Sequence, residues 1–355
     1  MPPGCVLITG GAGFIGSTLV RQWLEHEPES IVNLDALTYA GLRESLGGVL
    51  GDPRHVLVAG DVADAALVGR VLAELRPRAI LHLAAETHVD RSIDSPPQFA
   101  RTNVLGTCTL LDQATRYWQR LAGSEREAFR LLLVSTDEVF GAAEAEARFT
   151  EHSPLAPNSP YAASKAAGEH FARAFGHTYG LPVITLNPTN NYGPRQSPEK
   201  LIPRLIVSAM RGQSLPIYGD GLQQRDWLHV EDCCAAIRTV LRCGTPGRRY
   251  LAGADNDLPN LRVAELVCDL VDELLGGGPR RRFIRHVADR PGHDRRYAVD
   301  SGPLRQLGWR PAISLENGLR SAVQWYAAHP GWVERAEAAL QVAGGGSAAA
   351  AHRPA

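Results

Sequence analysis

Two carboxylic acids side by side, Asp137 and Glu138, and a tyrosine four positions ahead of a lysine, Tyr161 and Lys165, are the residues of this 355-residue chain best suited to moving protons. Adjacent carboxyls in a shielded place resist being ionised together, so one can hold a proton while the other accepts one. Spacing YxxxK at the start of a helix puts phenol and ammonium on one face, a single turn apart. Thr136, just before the acidic pair, adds a hydroxyl. Taken alone, Asp137 and Glu138 would also suit a solvated turn. Together with Thr136, Tyr161 and Lys165 they suit general acid and base chemistry on one small molecule.

These residues need a frame that brings them together. Short apolar runs at 5–9, 31–34, 55–59, 79–83, 129–135 and 183–186 alternate with helical patterns at 14–25, 63–74, 98–118 and 161–179. That alternation predicts βαβ units building a parallel sheet buried on both faces. The fold class is therefore α/β, a Rossmann doubly wound sheet, in which ligands lie beyond the carboxyl ends of the strands. Thr136 and the acidic pair follow the fifth run directly, and so fall on that edge.

The first run passes into VLITGGAGFIG, ending at Gly16, a GxxGxxG turn of Gly10, Gly13 and Gly16 between strand and helix. Backbone N–H groups there, with Phe14 and Ile15 opening the helix, suit a pyrophosphate. Asp35 ends the second run 19 positions after Gly16. A carboxylate there accepts from both ribose hydroxyls and repels a 2′-phosphate, which selects NAD over NADP. Asp61 and Val62 follow the third run beside the adenine, although Asp61 would equally cap a helix beginning near Ala63. Ala84 and Ala85 leave room for the dinucleotide. Lys165 and a positive nicotinamide ring would both favour the phenolate of Tyr161.

Beyond residue 187 the pattern loses its regularity, with Pro and Gly clustered at 187–203 and 215–221. The NAD-binding domain is accordingly assigned to 1–186 and 226–256, and a smaller substrate-covering domain to 187–225 and 257–330. Residues 343–355, mostly Gly, Ala and Ser, are expected to form a disordered tail. Helix 230–242 is expected to carry Glu231 and Asp232 in its first turn, where negative charge suits the dipole. A composition of 44% hydrophobic and 21% charged residues with net charge −1 carries no basic excess for nucleic acid. No run reaches the roughly 18 apolar residues of a membrane span, and no charged-then-apolar leader opens the chain. A cytoplasmic enzyme is expected. Six cysteines without a CxxC pair point to reduced thiols and to no metal site.

Seven segments in order make a more specific pattern: NLDALTYAG at 33–41, HLAAETHVDRSI at 82–93, STDEVFG at 135–141, NNYGP at 190–194, PEKLIP at 198–203, RDWLHVED at 225–232 and DRPGHDRRY at 289–297. With them the chain resembles the dTDP-glucose 4,6-dehydratases over residues 4–330. The resemblance implies a redox-neutral dehydration of a nucleoside-diphosphate hexose, most readily dTDP-glucose. Tyr161, helped by Thr136, removes the 4-hydroxyl proton as hydride passes from C4 to NAD; Glu138 takes the C5 proton; Asp137 protonates the departing 6-hydroxyl; hydride returns to C6. The resemblance also implies that Thr87, Asn190, Lys200, Arg225, Asn260 and His293 hold the substrate, and that helices 98–118 and 161–179 form a four-helix bundle in a homodimer.

The chain departs from the family pattern in three places. Asn187, Pro188 and Thr189 stand where Arg-Cys-Ser is usual, Leu42 where Asn is usual, and Phe140 where Tyr is common. No acid, base or cofactor residue is lost, so it is the preference for nucleotide or sugar that these departures touch. A UDP-hexose 4-epimerase or UDP-glucuronate decarboxylase would share the glycine turn and YxxxK, but needs neither an acid at C6 nor a base at C5. A non-catalytic dinucleotide sensor would not need Thr136, Tyr161 and Lys165 together.

Overall fold

The computed structural model describes residues 4–144 and 146–348. Six strands come first: β1 (Cys5–Thr9), β2 (Ser30–Asp35), β3 (His55–Ala59), β4 (Ala79–His82), β5 (Arg130–Val134) and β6 (Val183–Pro188). Six more follow: β7 (Asn190–Tyr192), β8 (Leu215–Tyr218), β9 (Gln224–His229), β10 (Arg249–Ala252), β11 (Asp257–Pro259) and β12 (Ile284–Val287). The main sheet has seven strands in the order β10-β6-β5-β4-β1-β2-β3, every pair parallel. After β3 the chain crosses back over β1 to β4. The strand order therefore reverses between β1 and β4, and a crevice opens at their carboxyl ends.

Alternation along β1 shows why the sheet is apolar on both faces. Val6 and Ile8 pack with Trp23 of helix Phe14–His26 and Ile237 of helix Val230–Cys243. Leu7, between them, packs on the opposite face with Val68, Leu72 and Leu110. All three are fully buried, each such side chain being worth roughly 1.5–3 kcal/mol of transfer free energy.

A second core gathers helices Leu201–Met210, Asn260–Leu275 and Leu315–Ala328 around Ile206, Val267 and Leu319. Its sheets are small, β11-β9-β7 and β12-β8. β9 runs straight into helix Val230–Cys243, which packs on the main sheet, so one continuous segment joins both cores. Asp232, in the first turn of that helix, accepts from the backbone of Ala312 and Ile313, both at 3.0 Å, and ties the C-terminal part to it.

Three expectations need correction. The helix anticipated over 98–118 is broken into a short turn Pro96–Phe99, a π-helical stretch Ala100–Gly106 and helix Thr107–Arg120. The widened stretch carries the buried Asn103, whose amide serves three partners described below, and π segments often mark such functional positions. Second, the cap of helix Ala65–Leu75 is Asp64, which accepts from Leu67 N at 3.0 Å; Asp61 is not the cap. Third, helix Pro330–Ala348 includes residues 343–348, which were expected to be unstructured. It propagates from a start packed through Trp332, Val333 and Ala336, and extending a formed helix is far easier than nucleating one. Residues 349–355 of the expected tail lie outside the described residues. Among the described residues no helix is long and apolar enough to cross a membrane.

Candidate active site

The glycine turn closes the amino side of the crevice. Gly10 has φ +73°, and a Cβ on it would sit 2.7 Å from the backbone of Ala84. A Cβ on Gly16 would sit 2.1 Å from the carbonyl oxygen of Gly10. Gly13 stands at the cap position of helix Phe14–His26, with no side chain satisfying the first-turn N–H groups. Those donors and the helix dipole suit a diphosphate. Asp35 is buried at the end of β2; its two oxygens accept from Ala12 N and Leu37 N, each at 2.8 Å. Burial pushes its carboxyl up, and the two backbone bonds oppose that. A lone pair on each oxygen remains for a ribose hydroxyl.

One cleft of ≈ 340 Å³ is lined by Gly10, Gly13, Phe14, Ile15, Gly16 and Asp35, by Asp61, Val62, Ala84 and Ala85, and by Thr136, Glu138, Tyr161 and Lys165. Thr87, Asn190 and Lys200 line it too. The residues present therefore fit an NAD molecule laid from Asp61 to Lys165: capping-free amides for its diphosphate, a carboxylate for its ribose, and small side chains along its path. Asp61 accepts from Ala63 N at 2.8 Å, which holds its carboxylate at the far end of the cleft.

At the other end, β5 delivers Thr136 in extended conformation and a short 3₁₀ turn carries Asp137–Phe140. Thr136 Oγ1 donates to Asp137 Oδ1 and accepts from Glu138 N, both at 3.3 Å. Asp137 is fully buried, and its Oδ2 has no partner. Burial, reinforced by the Glu138 charge, drives the Asp137 carboxyl far above its ordinary range. Burial also raises Glu138, but Arg290, Arg225 and Lys200 oppose it. The pair is therefore unequal: Asp137 is held as the acid, and Glu138 faces the cleft as the better carboxylate.

Helix Pro160–Tyr179 begins at Ser159, whose side chain accepts from Ala162 N at 3.1 Å, and presents Tyr161 and Lys165 to the same point. The expected easing of Tyr161 toward phenolate is not what the protein alone provides. Burial and the Glu138 charge push the phenol up, a hydrogen bond with Thr136 pulls it down, and the Lys165 ammonium donates instead to Val134 O at 2.8 Å. Burial lowers Lys165 to about 8, with Glu169 opposing.

Of the other predicted residues, Arg225, Asn260 and His293 lie outside the lining of that cleft. Arg225 is buried, donates to the carbonyls of Gln224 (2.7 Å) and Asp294 (2.9 Å), and lies 4.2 Å over the Tyr297 ring. His293 Nδ1 is 2.6 Å from Asp289 Oδ1. Gln223 donates to the other oxygen of Asp289 at 2.9 Å, and Asn260 N donates to Gln223 O at 3.0 Å. The side-chain oxygens of Asn190 and Asn260 are buried without partners. Lys200 donates to Thr87 O at 2.6 Å.

With the site assembled, comparison with known proteins decides among the sugar-nucleotide enzymes that share a glycine turn and YxxxK. A family model described as GDP-mannose 4,6 dehydratase matches residues 7–322. The dTDP-glucose 4,6-dehydratase of Xanthomonas campestris pv. campestris (strain B100) is 51% identical over 332 residues, covering 92% of this chain and 94% of that protein. The chain belongs to the dTDP-glucose 4,6-dehydratase family. A dTDP-glucose 4,6-dehydratase of Escherichia coli (strain K12) is 47% identical over 93% of this chain and 94% of its own length. The crystal structure of DesIV, a dTDP-glucose 4,6-dehydratase from Streptomyces venezuelae with NAD bound, superposes with TM-score 0.86 at 44% identity, covering 94% of this chain and 99% of that one.

Within this dehydratase family the three departures acquire a setting. Leu42 packs against the second core at the cleft wall, and Phe140 stacks on Phe149 at 5.1 Å. Asn187 is fully buried behind Thr136. Two residues that sequence reasoning passed over also belong to the dehydratase site. Asn103 accepts from Glu86 N (2.8 Å) and donates to Glu86 O (3.0 Å) and to Ser164 Oγ (2.8 Å), clasping the β4 exit to the Tyr161 helix. Glu86, on the cleft wall, accepts from Tyr39 at 2.9 Å and Gln98 at 3.0 Å. Glu86 lies inside the HLAAETHVDRSI segment, so its signal was present. A second signal is composition: Lys165 and Lys200 are the only two lysines in the chain, and both line the cleft.

Proposed function

We propose that the chain is an NAD-dependent hydro-lyase that converts dTDP-glucose to the nucleotide-linked 4-keto-6-deoxy sugar. The observation that carries this reading is the unequal acidic pair next to Thr136 and beside Tyr161: burial and the Glu138 charge push the Asp137 carboxyl far up, while Arg290, Arg225 and Lys200 hold back the rise at Glu138. An oxidoreductase acting at C4 alone has no use for that pair. NAD, when bound, supplies the hydride acceptor for C4 and returns the hydride to C6. As the phenolate, the form that Lys165 and a positive nicotinamide ring would favour, Tyr161 takes the 4-hydroxyl proton, with Thr136 holding its oxygen. The resulting 4-ketone acidifies C5, and Glu138 removes that proton. Asp137 gives its proton to the 6-hydroxyl, which leaves as water. Glu138 then returns a proton to C5 as hydride reaches C6.

Lys200, Arg225 and His293 supply cationic and N–H donors suited to the diphosphate, while Asn190, Asn260 and Thr87 complete the holding of nucleoside and sugar. In this reading, residues 1–186 and 226–256 hold NAD and residues 187–225 and 257–330 hold the nucleotide sugar. The protein works as a homodimer, in keeping with exposed Phe171 and Tyr179 on the Tyr161 helix, and in the cytoplasm, where its six unpaired cysteines stay reduced. dTDP-glucose deuterated at C4 tests the reaction. The product should carry deuterium at C6, with no steady build-up of reduced cofactor. Build-up in proportion to product, or label lost to solvent, would make the protein an ordinary dehydrogenase.

A further inference from the structure

We propose that Glu169, held between Asn187 and Arg249, is a positioning residue: through Asn187 it fixes Thr136 against the Tyr161 helix, and from its own helix it sets a negative charge one turn from Lys165. This inference rests on the dehydration reading above. The starting point is where the strand ladder stops. β5 and β6 pair up to Val134↔Leu186, and the next main-chain bond, Ser135 N to Leu186 O at 2.8 Å, is the last before Thr136. Thr136 and Asp137 project past that point.

The link that continues the ladder is a side chain. Asn187 Nδ2 donates to Thr136 O at 2.8 Å and to Glu169 Oε1 at 2.6 Å. Both neighbours are acceptors, so the bridge needs two hydrogens on one atom, which an amide has and a carboxylate or aliphatic group lacks. The other oxygen of Glu169 accepts from Arg249 Nη2 at 2.5 Å, reaching over from β10. Glu169 is 3% exposed and Asn187 fully buried, and a buried carboxylate needs a counter-ion of this kind. The path Arg249–Glu169–Asn187–Thr136 thus crosses from β10 to the catalytic strand end by way of the helix that bears Tyr161 and Lys165.

Glu169 also acts along its own helix. Lys165 lines the cleft with Tyr161 and Glu138, and the titratable groups that act on its charge are Glu169 on that helix and His82 on β4. His82 is buried and kept neutral between Thr9 and Thr107. Glu169 is therefore the charge that offsets desolvation of the ammonium.

Three variants separate the two effects, each compared with wild type after circular dichroism establishes the fold. Glu169→Gln keeps an acceptor for Asn187 but removes the charge, so the alkaline limb of kcat should move down by about one pH unit with KM for the sugar nucleotide unchanged. Asn187→Leu removes the bridge but leaves the charge; kcat should fall roughly tens-fold, the scale of a misplaced reacting group, without a shift of the limb. Arg249→Met should lower kcat and stability together. Because the chain has two lysines, ¹⁵Nε-lysine labelling gives two ammonium titrations and needs no turnover: Glu169→Gln should lower one and leave the other. Folded Glu169→Gln and Asn187→Leu proteins with wild-type kcat and pH profile, or an unmoved lysine titration in Glu169→Gln, would overturn the inference. Absence of any 4-keto product from wild type would instead sink the dehydration reading, and the lysine titration would still decide the inference.

Discussion

Burial raises Asp137 and Glu138 alike, but three cations, Arg290, Arg225 and Lys200, offset it at Glu138, while at Asp137 the Glu138 charge adds to it and Arg225 is the one cation that opposes. Loss of either function should be severe. Glu138→Gln and Asp137→Asn are each expected to lower kcat by about a hundredfold or more, within the roughly 10²–10⁴ range of general acid and base catalysis, with NAD affinity kept. Near-normal turnover in both would remove the assignment. The same burial makes Asp137 a cost to folding. A carboxyl whose folded pKa is raised favours folding most below its unfolded value, and that advantage drains away as pH rises toward the folded one. Asp137→Asn escapes the penalty, so its melting temperature minus that of wild type should grow as pH rises from about 4. A constant difference across that window would contradict an acid held protonated. Tyr161→Phe should stop the reaction before the ketone forms, so neither C5 exchange with solvent nor water release should occur; C5 exchange at the wild-type rate would require a different base at C4.

At the scale of elements, the parallel strands were legible because continuous apolar runs bounded by turns have few other uses, and β1 and β3 fall on the expected residues. The glycine turn was legible for the same reason that Gly16 cannot carry a side chain. Gly16→Ala would place a methyl 2.1 Å from Gly10 O, so the turn must open. We expect a loss of about 1–3 kcal/mol in stability and at least tenfold weaker NAD binding, read by calorimetry; unchanged affinity would mean that the helix start does not hold the diphosphate. Other elements were hidden. Thr107–Arg120 shows helical periodicity, but nothing local announces the π stretch, since its reason is Asn103 reaching Glu86 and Ser164, remote in sequence. Asp61 and Asp64 are both plausible caps by composition, and only the start of the helix at Ala65 separates them. The pairing of β7 with β9 and β11 is likewise a long-range event between short strands. Asn187 stood out only as a departure from the family pattern, and its role as a two-way donor depends on a carboxylate from the helix and an arginine from β10.

The molecule as a whole places its reacting groups where two cores meet, with β9 and helix Val230–Cys243 running through both, so a partner that braces the Tyr161 helix would brace the site. That helix offers such a surface. Phe171, Phe175 and Tyr179 recur at four-residue spacing; Phe175 packs inward against the main-sheet core, while Phe171 and Tyr179 are 38% and 50% exposed. Leu105, at the edge of the neighbouring helix Thr107–Arg120, is 54% exposed. Residues four apart share a helix face, and a 20-residue helix extends for about 30 Å, long enough with its neighbour to supply the roughly 800 Å² per partner that a stable interface needs. Two copies packing these helices together would make a four-helix bundle with aromatic side chains at its seam. Sedimentation equilibrium should therefore give wild type about twice the chain mass of 38.4 kDa at micromolar concentration. Phe171→Glu, which sets like charges against each other across a two-fold axis, should shift it to the single-chain mass while NAD still binds, because the glycine turn and Asp35 lie on other elements. A wild-type protein that sediments as one chain at about a hundred micromolar, or a Phe171→Glu variant that stays paired, would show that this face is not where two copies meet.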